Sequence, residues 1–150
     1  MIKKGDKIGE IILPDSEGNN FQLSSTIGKK VLLTFYRHAS CAICNLRINE
    51  FIKRYDEFGN KFTMVGIFHA PRDFLKKNMK KHKLPFTVLA DEKFEYFKKF
   101  NVEKSYLKLI LAFILKPHKF FLAGLKGYLP VQFKGYLTIV PVDVLIDENG

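Results

Sequence analysis

One junction constrains the fold of this chain more than any other stretch. The apolar run Val31-Leu32-Leu33-Thr34-Phe35-Tyr36 leads almost directly into Cys41-Ala42-Ile43-Cys44, and a helical pattern follows. The run is rich in β-branched and aromatic residues and holds no charge, the pattern of a central strand covered on both faces. A strand that ends in CxxC at the start of a helix is an arrangement suited to thiol–disulfide chemistry. The first thiol sits at the helix N-terminus, where unpaired N–H groups and the positive end of the dipole favour a thiolate. The second lies one turn on, close enough to form a disulfide with the first. These are the only two cysteines among 150 residues.

The helix is expected from about Cys41 to Phe58. Its apolar stripe is Cys44, Ile48, Phe51, Ile52 and Tyr55, with charged residues on most of the opposite face. That pattern shelters Cys44 and leaves Cys41 at an exposed helix end. Phe62 to Phe68 reads as a second buried strand, and Pro71 opens a helix reaching about Lys81. Phe86 to Ala90 is a third strand, and Asp91 is placed to cap a helix over Glu92 to Phe100. Strand, helix, strand, helix, strand implies parallel pairing in an α/β sheet. Upstream, Ile11-Ile12-Leu13 and Phe21-Gln22-Leu23 flank a Pro/Asp/Gly turn, the signature of a hairpin. Ser24 to Lys29 reads as a short helical turn closed by Gly28.

At 47% hydrophobic and 14% aromatic residues, the chain has the composition of one globular domain. Two cysteines do not make a secreted disulfide scaffold. The charged N-terminus lacks the apolar core of a signal peptide, so a cytoplasmic location is expected. The net charge of +10 comes from dispersed lysines such as Lys76, Lys77, Lys80, Lys81 and Lys83, the pattern of solvated helix faces rather than a nucleic-acid site. Residues 104–142 differ: they hold six lysines, no Asp or Glu, and many large apolar residues. The apolar run from Leu107 to Leu115 is far shorter than the ~20 residues of a membrane span. This segment could be core plus active-site cover, a homodimer face, or a basic interfacial helix. Pro141 to Gly150 is a strand ending in Asn-Gly, a hairpin signal. Its second strand would lie beyond the last residue, so the sequence is expected to be a truncated version of a longer protein.

The same CxxC admits other readings. Two cysteines one turn apart can be inert small hydrophobes. His38, Cys41 and Cys44, with His69 as a fourth ligand, would also satisfy zinc, although structural sites use more than one close pair. His69 could line the thiol pocket, and Arg72 could bring a positive charge to it. His82 and His118 lie in Lys-rich contexts that read as surface. No phosphate loop, paired catalytic carboxylates or serine-nucleophile motif occurs, so no cofactor is expected.

Taken together, these residues resemble the thioredoxin-like superfamily, and within it the peroxiredoxin-like AhpC/TSA group. The resemblance rests on Gly5 to Gly18 with Phe21 to Ser24, on Gly28 to Arg37, on His38-Ala39-Ser40-Cys41-Ala42-Ile43-Cys44, and on Val140-Pro141 with the strand after it. It implies an α/β, thioredoxin-like fold: a central mixed sheet flanked by helices, an N-terminal β-hairpin, and a helical insertion at about 104–135 before a cis-proline strand. It implies that Val140–Pro141 is a cis bond bordering the disulfide. It further implies a thiol–disulfide oxidoreductase, or peroxiredoxin-like antioxidant protein, with Cys41 as nucleophile and Cys44 as resolving thiol. Arg37, His38, Ser40, Val140 and Pro141 would tune the thiol or bind substrate. The partners would be a protein disulfide or small hydroperoxide and an external thiol reductant. The Pro-x-x-x-Thr/Ser-x-x-Cys motif of peroxiredoxins is absent: Thr34 stands at the proline and His38 at the hydroxyl, which weighs against fast peroxide reduction. A rival is a binding or scaffold protein that works through residues 104–135, with CxxC as a relic or a slow redox sensor.

Overall fold

The computed structural model describes residues 3–102, 104, 105, 114, 115, 121, 122, 124, 125 and 138–150. Strands β1 (Ile12–Pro14) and β2 (Asn20–Gln22) form the expected antiparallel hairpin. Its turn is closed by the Asp15 carboxylate, which accepts from the backbone N–H groups of Glu17, Gly18 and Asn19. Gly18 takes the positive φ of 101° that this turn requires.

The main sheet holds β3 (Lys30–Tyr36), β4 (Phe62–Phe68), β5 (Thr87–Ala90) and β6 (Val142–Ile146) in the order β5-β4-β3-β6. The pairs β3–β4 and β4–β5 are parallel, and β6 runs antiparallel to β3. Helix α1 (Ala42–Arg54) connects β3 to β4, and α2 (Arg72–Met79) connects β4 to β5. A short α3 (Glu95–Lys99) follows β5. The sheet is mixed and flanked by helices, as the family resemblance implies; the strand–helix alternation alone accounts for its parallel pairs.

Strand alternation sorts the core into two clusters. Val31, Leu33 and Phe35 of β3 join Val65 and Ile67 of β4, Leu89 of β5, and Phe97 and Phe100. Tyr36 of β3 joins Met64 and Phe68 of β4, Val88 and Ala90 of β5, Cys44 and Ile48 of α1, and Leu75 and Met79 of α2. Gly66 of β4 serves the second cluster by its lack of a side chain. A Cβ there would stand 3.1 Å from the ring of Tyr36, which stacks on Phe68 at 4.8 Å between centroids.

Several expectations need correction. Helix α1 gives way at Tyr55–Phe58 to a 3-10 turn that ends at Gly59, where φ is 73°. Helix α3 begins at Glu95 rather than Glu92. Asp91 still caps it, from further away: its carboxylate accepts from the N–H groups of Glu95, Tyr96 and Phe97. No peptide bond among the described residues is cis, so Val140–Pro141 is trans, the intrinsic preference of an X–Pro bond. Most of the insertion at 104–135 lies outside the described residues. Within it, Ile114, Leu115, Phe121, Leu122 and Leu125 are helical and exposed, so these five do not extend the core. No helix among the described residues is long and apolar enough to cross a membrane.

Candidate active site

Strand β3 ends at Tyr36, and five residues carry the chain to the first turn of α1. Cys41 is the N-cap, with extended backbone dihedrals (φ −67°, ψ 118°), and its Sγ accepts the backbone N–H of Cys44 at 3.4 Å. A capping side chain normally brings an oxygen to this orphan donor; here a sulfur takes that place. The thiol of Cys44 also donates to the Cys41 sulfur. That hydrogen bond, with the helix N–H groups and the Arg37 guanidinium, outweighs burial and holds the Cys41 thiol down at about 7. Cys44 is driven well above its ordinary value, first by donating to Cys41 and then by burial. Both cysteines are in the free state. The pair is therefore polarised: one sulfur is poised as a thiolate and the other retains its proton.

The expected contrast of exposed Cys41 and sheltered Cys44 is corrected. Both are buried, at 8% and 4% exposure, in the cluster with Tyr36, Ala39 and Ile48. Cys41 keeps the larger opening, but the turn from Arg37 to Ser40 does not leave it at a bare helix end.

The other sequence candidates fall into two groups. Arg37 is half-buried and donates through Nε to the carbonyl of Ile139 at 2.7 Å, tying the end of β3 to the segment that enters β6. The register Phe35↔Val142 brings Val140 and Pro141, both half-buried, alongside that same end of β3. His38 is buried, and its Nδ1 lies 3.0 Å from the Ser40 hydroxyl. Burial, reinforced by the Arg37 charge, pushes the His38 ring down to about 4, so it is neutral at pH 7. Arg37, His38, Ser40, Val140 and Pro141 are thus gathered at one end of the sheet with the CxxC.

His69 and Arg72 are elsewhere. Period-two alternation turns His69 away from Phe68, onto the other face of the sheet. There its ring meets Phe94 edge-on at 4.8 Å, and its Nδ1 lies 3.1 Å from the carbonyl of Asp91. Arg72 pairs with Asp73 on the surface at 3.2 Å. No cluster of three or more His, Cys, Asp or Glu side chains suited to a metal exists among the described residues. A cleft of about 430 Å³ lies against the β1–β2 turn and the end of α2, lined by Asp15, Lys76, His82 and Phe86. Neither cysteine lines it.

Four residues around the site were not apparent from sequence. Arg47 of α1 pairs with Asp143 of β6 at 2.6 Å. Asn45 is buried on α1, and its Nδ2 donates to the carbonyls of Ala39 at 3.0 Å and Cys41 at 2.8 Å. His82, which reads as a surface histidine in its Lys-rich setting, is buried and lies 2.7 Å from the Asn45 Oδ1. The available signal was the pair Asn45 and Asn49, two polar residues one turn apart beside an apolar stripe.

The AhpC/TSA family model matches residues 4–150. The chain belongs to the AhpC/TSA family. Among curated relatives it is 35% identical over 107 residues to a putative peroxiredoxin bcp of Buchnera aphidicola, an alignment covering 67% of this chain and 65% of that protein. It is 34% identical over 92 residues to the chloroplastic peroxiredoxin Q of Sedum lineare, covering 61% of this chain and 50% of that one. The matched part is thus about half to two-thirds of those relatives. Among solved structures, the peroxidoxin BcpB of Mycobacterium tuberculosis aligns with a TM-score of 0.65 at 26% identity, covering 71% of each chain. A putative thiol:disulfide interchange protein DsbE of Chlorobium tepidum aligns over 100% of this chain and 82% of its own, with a TM-score of 0.64 at 20% identity. The second likeness shows the shared thioredoxin-like fold.

Proposed function

We propose that this AhpC/TSA protein is a thiol-dependent oxidoreductase that cycles between a Cys41/Cys44 dithiol and an intramolecular disulfide. The observation that carries this reading is the sulfur N-cap: Cys41 Sγ held 3.4 Å from the Cys44 N–H, with its thiol lowered to about 7. The greater exposure of Cys41 makes it the sulfur that an incoming substrate meets first.

Toward a protein disulfide, the Cys41 thiolate attacks one sulfur and expels the other as a thiolate, leaving a mixed disulfide. Cys44 then loses its proton and attacks Cys41, forming the internal disulfide and releasing the substrate as a dithiol. Toward a hydroperoxide, the Cys41 thiolate attacks the terminal oxygen; the alcohol leaves with a proton, and Cys41 becomes a sulfenic acid. Attack by the Cys44 thiol then expels water and closes the same disulfide. In both routes two electrons leave the dithiol, and an external thiol reductant restores them. The high proton affinity of Cys44 fits the second step, since it stays a thiol until Cys41 has reacted.

The peroxidase route is favoured by the likeness to peroxiredoxins, and the disulfide route by CxxC and by His38 standing where peroxiredoxins keep a hydroxyl. The compartment proposed is the cytoplasm. Iodoacetamide alkylation against pH tests the common core of the proposal. Cys41 should react with a midpoint near pH 7 and Cys44 only under strongly alkaline conditions. Mild oxidation should protect both through one disulfide seen by mass spectrometry. Two ordinary titrations near the free value of about 8.5 would end this reading. Rates with hydroperoxide and with a model protein disulfide then separate the two routes.

A further inference from the structure

The turn that presents Cys41 is held from beneath by a polar connection to the far end of α2. Asn45 occupies the first turn of α1, fully inside the protein, where an amide costs helix propensity and desolvation. Both hydrogens of its Nδ2 are used, one on the carbonyl of Ala39 at 3.0 Å and one on the carbonyl of Cys41 at 2.8 Å. The Cys41 carbonyl also receives the Asn45 backbone N–H at 2.9 Å. One side chain therefore grips the peptide group that precedes Ser40 and the one that follows the N-cap Cys41.

The amide can make this grip only in one orientation. Two carbonyl oxygens require its nitrogen, so the Asn45 Oδ1 must face the other way, toward His82 Nε2 at 2.7 Å. An oxygen there requires a proton on Nε2, which fixes the imidazole tautomer. The ring's other nitrogen, Nδ1, lies 3.3 Å from the Asn49 Oδ1; with the single proton on Nε2, Nδ1 is an acceptor, and the Asn49 amide pairs with it once turned to present its nitrogen. The His82 backbone is anchored in turn by donating to the carbonyl of Met79, the last residue of α2, at 2.8 Å.

We propose that Asn45 and His82 are positioning residues for the Cys41 thiolate: His82 orients the Asn45 amide, and the amide holds the Ala39–Cys41 turn so that the sulfur stays on the N–H of Cys44. The proposal deepens the oxidoreductase reading and rests on it. The proposal gives neither residue a contact with substrate. Their effect is transmitted through the geometry of the N-cap, because a sulfur that drifts off the cap loses the donors that stabilise its charge.

The test is the Cys41 alkylation profile in the reduced full chain for wild type, Asn45→Ala, His82→Leu and His82→Gln, with circular dichroism and thermal melting alongside. With the grip removed in Asn45→Ala, the Cys41 midpoint should move toward the free value and alkylation at pH 7 should fall about tenfold. His82→Leu should move the same way by less, because the amide loses only its orienting donor. His82→Gln keeps an N–H at a similar reach and should restore most of the wild-type profile. If the folded variants all titrate as wild type does, or if His82→Gln behaves as His82→Leu, the proposal fails. A wild-type midpoint at the free value would instead remove the oxidoreductase reading itself. If Asn45→Ala does not fold, nitrogen-15 spectra of wild type still decide. The Nε2–H tautomer of His82, with a scalar coupling across its bond to Asn45, is expected. The Nδ1–H tautomer would overturn the proposal.

Discussion

The two faces of the main sheet share the same strands and bury very different things. On one, Phe35 meets Phe97 at 5.1 Å and Phe100 at 4.9 Å, and Phe94 stacks on Phe97, within a cluster of aliphatic and aromatic side chains. On the other, hydrocarbon from Met64, Phe68, Leu75 and Val88 surrounds two thiols, with the buried amide of Asn45 beside them. The first face can be optimised for packing alone. The second must keep polar groups dry and paired, so each hydrogen bond there has a large effect. Stability and reactivity are thus separated by the alternation of β3, one residue up and the next residue down.

If that separation holds, substitutions on the two faces should have separable consequences. Cys41→Ser should abolish turnover, by about 10³-fold or more, with little change in melting temperature. Cys44→Ser should permit one round and then stop, trapping a mixed disulfide or sulfenic acid that mass spectrometry would detect. Phe97→Ala, on the opposite face, should cost about 3–5 kcal/mol of unfolding free energy while leaving the Cys41 alkylation midpoint in place. A shifted midpoint in that variant would break the comparison.

His38 provides a pH-dependent version of the test. Burial favours its neutral ring, so the unfolded chain takes up the proton first as pH falls. Its contribution is full above about 6.5 and is lost as pH drops toward about 4, by up to ~3 kcal/mol. Urea unfolding at pH 7 and pH 4.5 should show a smaller difference in His38→Asn than in wild type. The smallest effect is expected at the rim. The Arg47–Asp143 pair is about one-third exposed on each side, and Asp143→Asn should cost no more than about 1 kcal/mol. High salt should shrink that difference further.

What was legible in the sequence follows the range over which each interaction acts. The β3 run, the N-cap at Cys41, the stripe of α1 and the β1–β2 turn are set by neighbours within a few residues, and periodicity or capping rules reach them. The arrangement of the candidate site depends on partners far along the chain. Arg37 meets Ile139 across 102 positions, and Asn45 meets His82 across 37. Local composition misleads in such cases: lysines on either side of His82 suggest surface, yet its ring is turned inward. The same limit explains Cys41. A helical wheel leaves it at an open end, but the turn before it and the rest of its cluster close that end. At Val140–Pro141 the family resemblance pointed to cis, and the intrinsic trans preference prevailed.

Two hydroxyls of β3 carry a consequence of another kind. Thr34 and Tyr36 bury Oγ1 and OH without a hydrogen-bond partner among the described residues. A dry hydroxyl with nothing to bond to has given up its water for no return, so removing it relieves a penalty. Tyr36→Phe keeps the ring on Phe68 and Thr34→Val keeps the branched shape, and each should raise the melting temperature. The strand that delivers the reactive cysteine thus leaves room for a sturdier protein of the same shape.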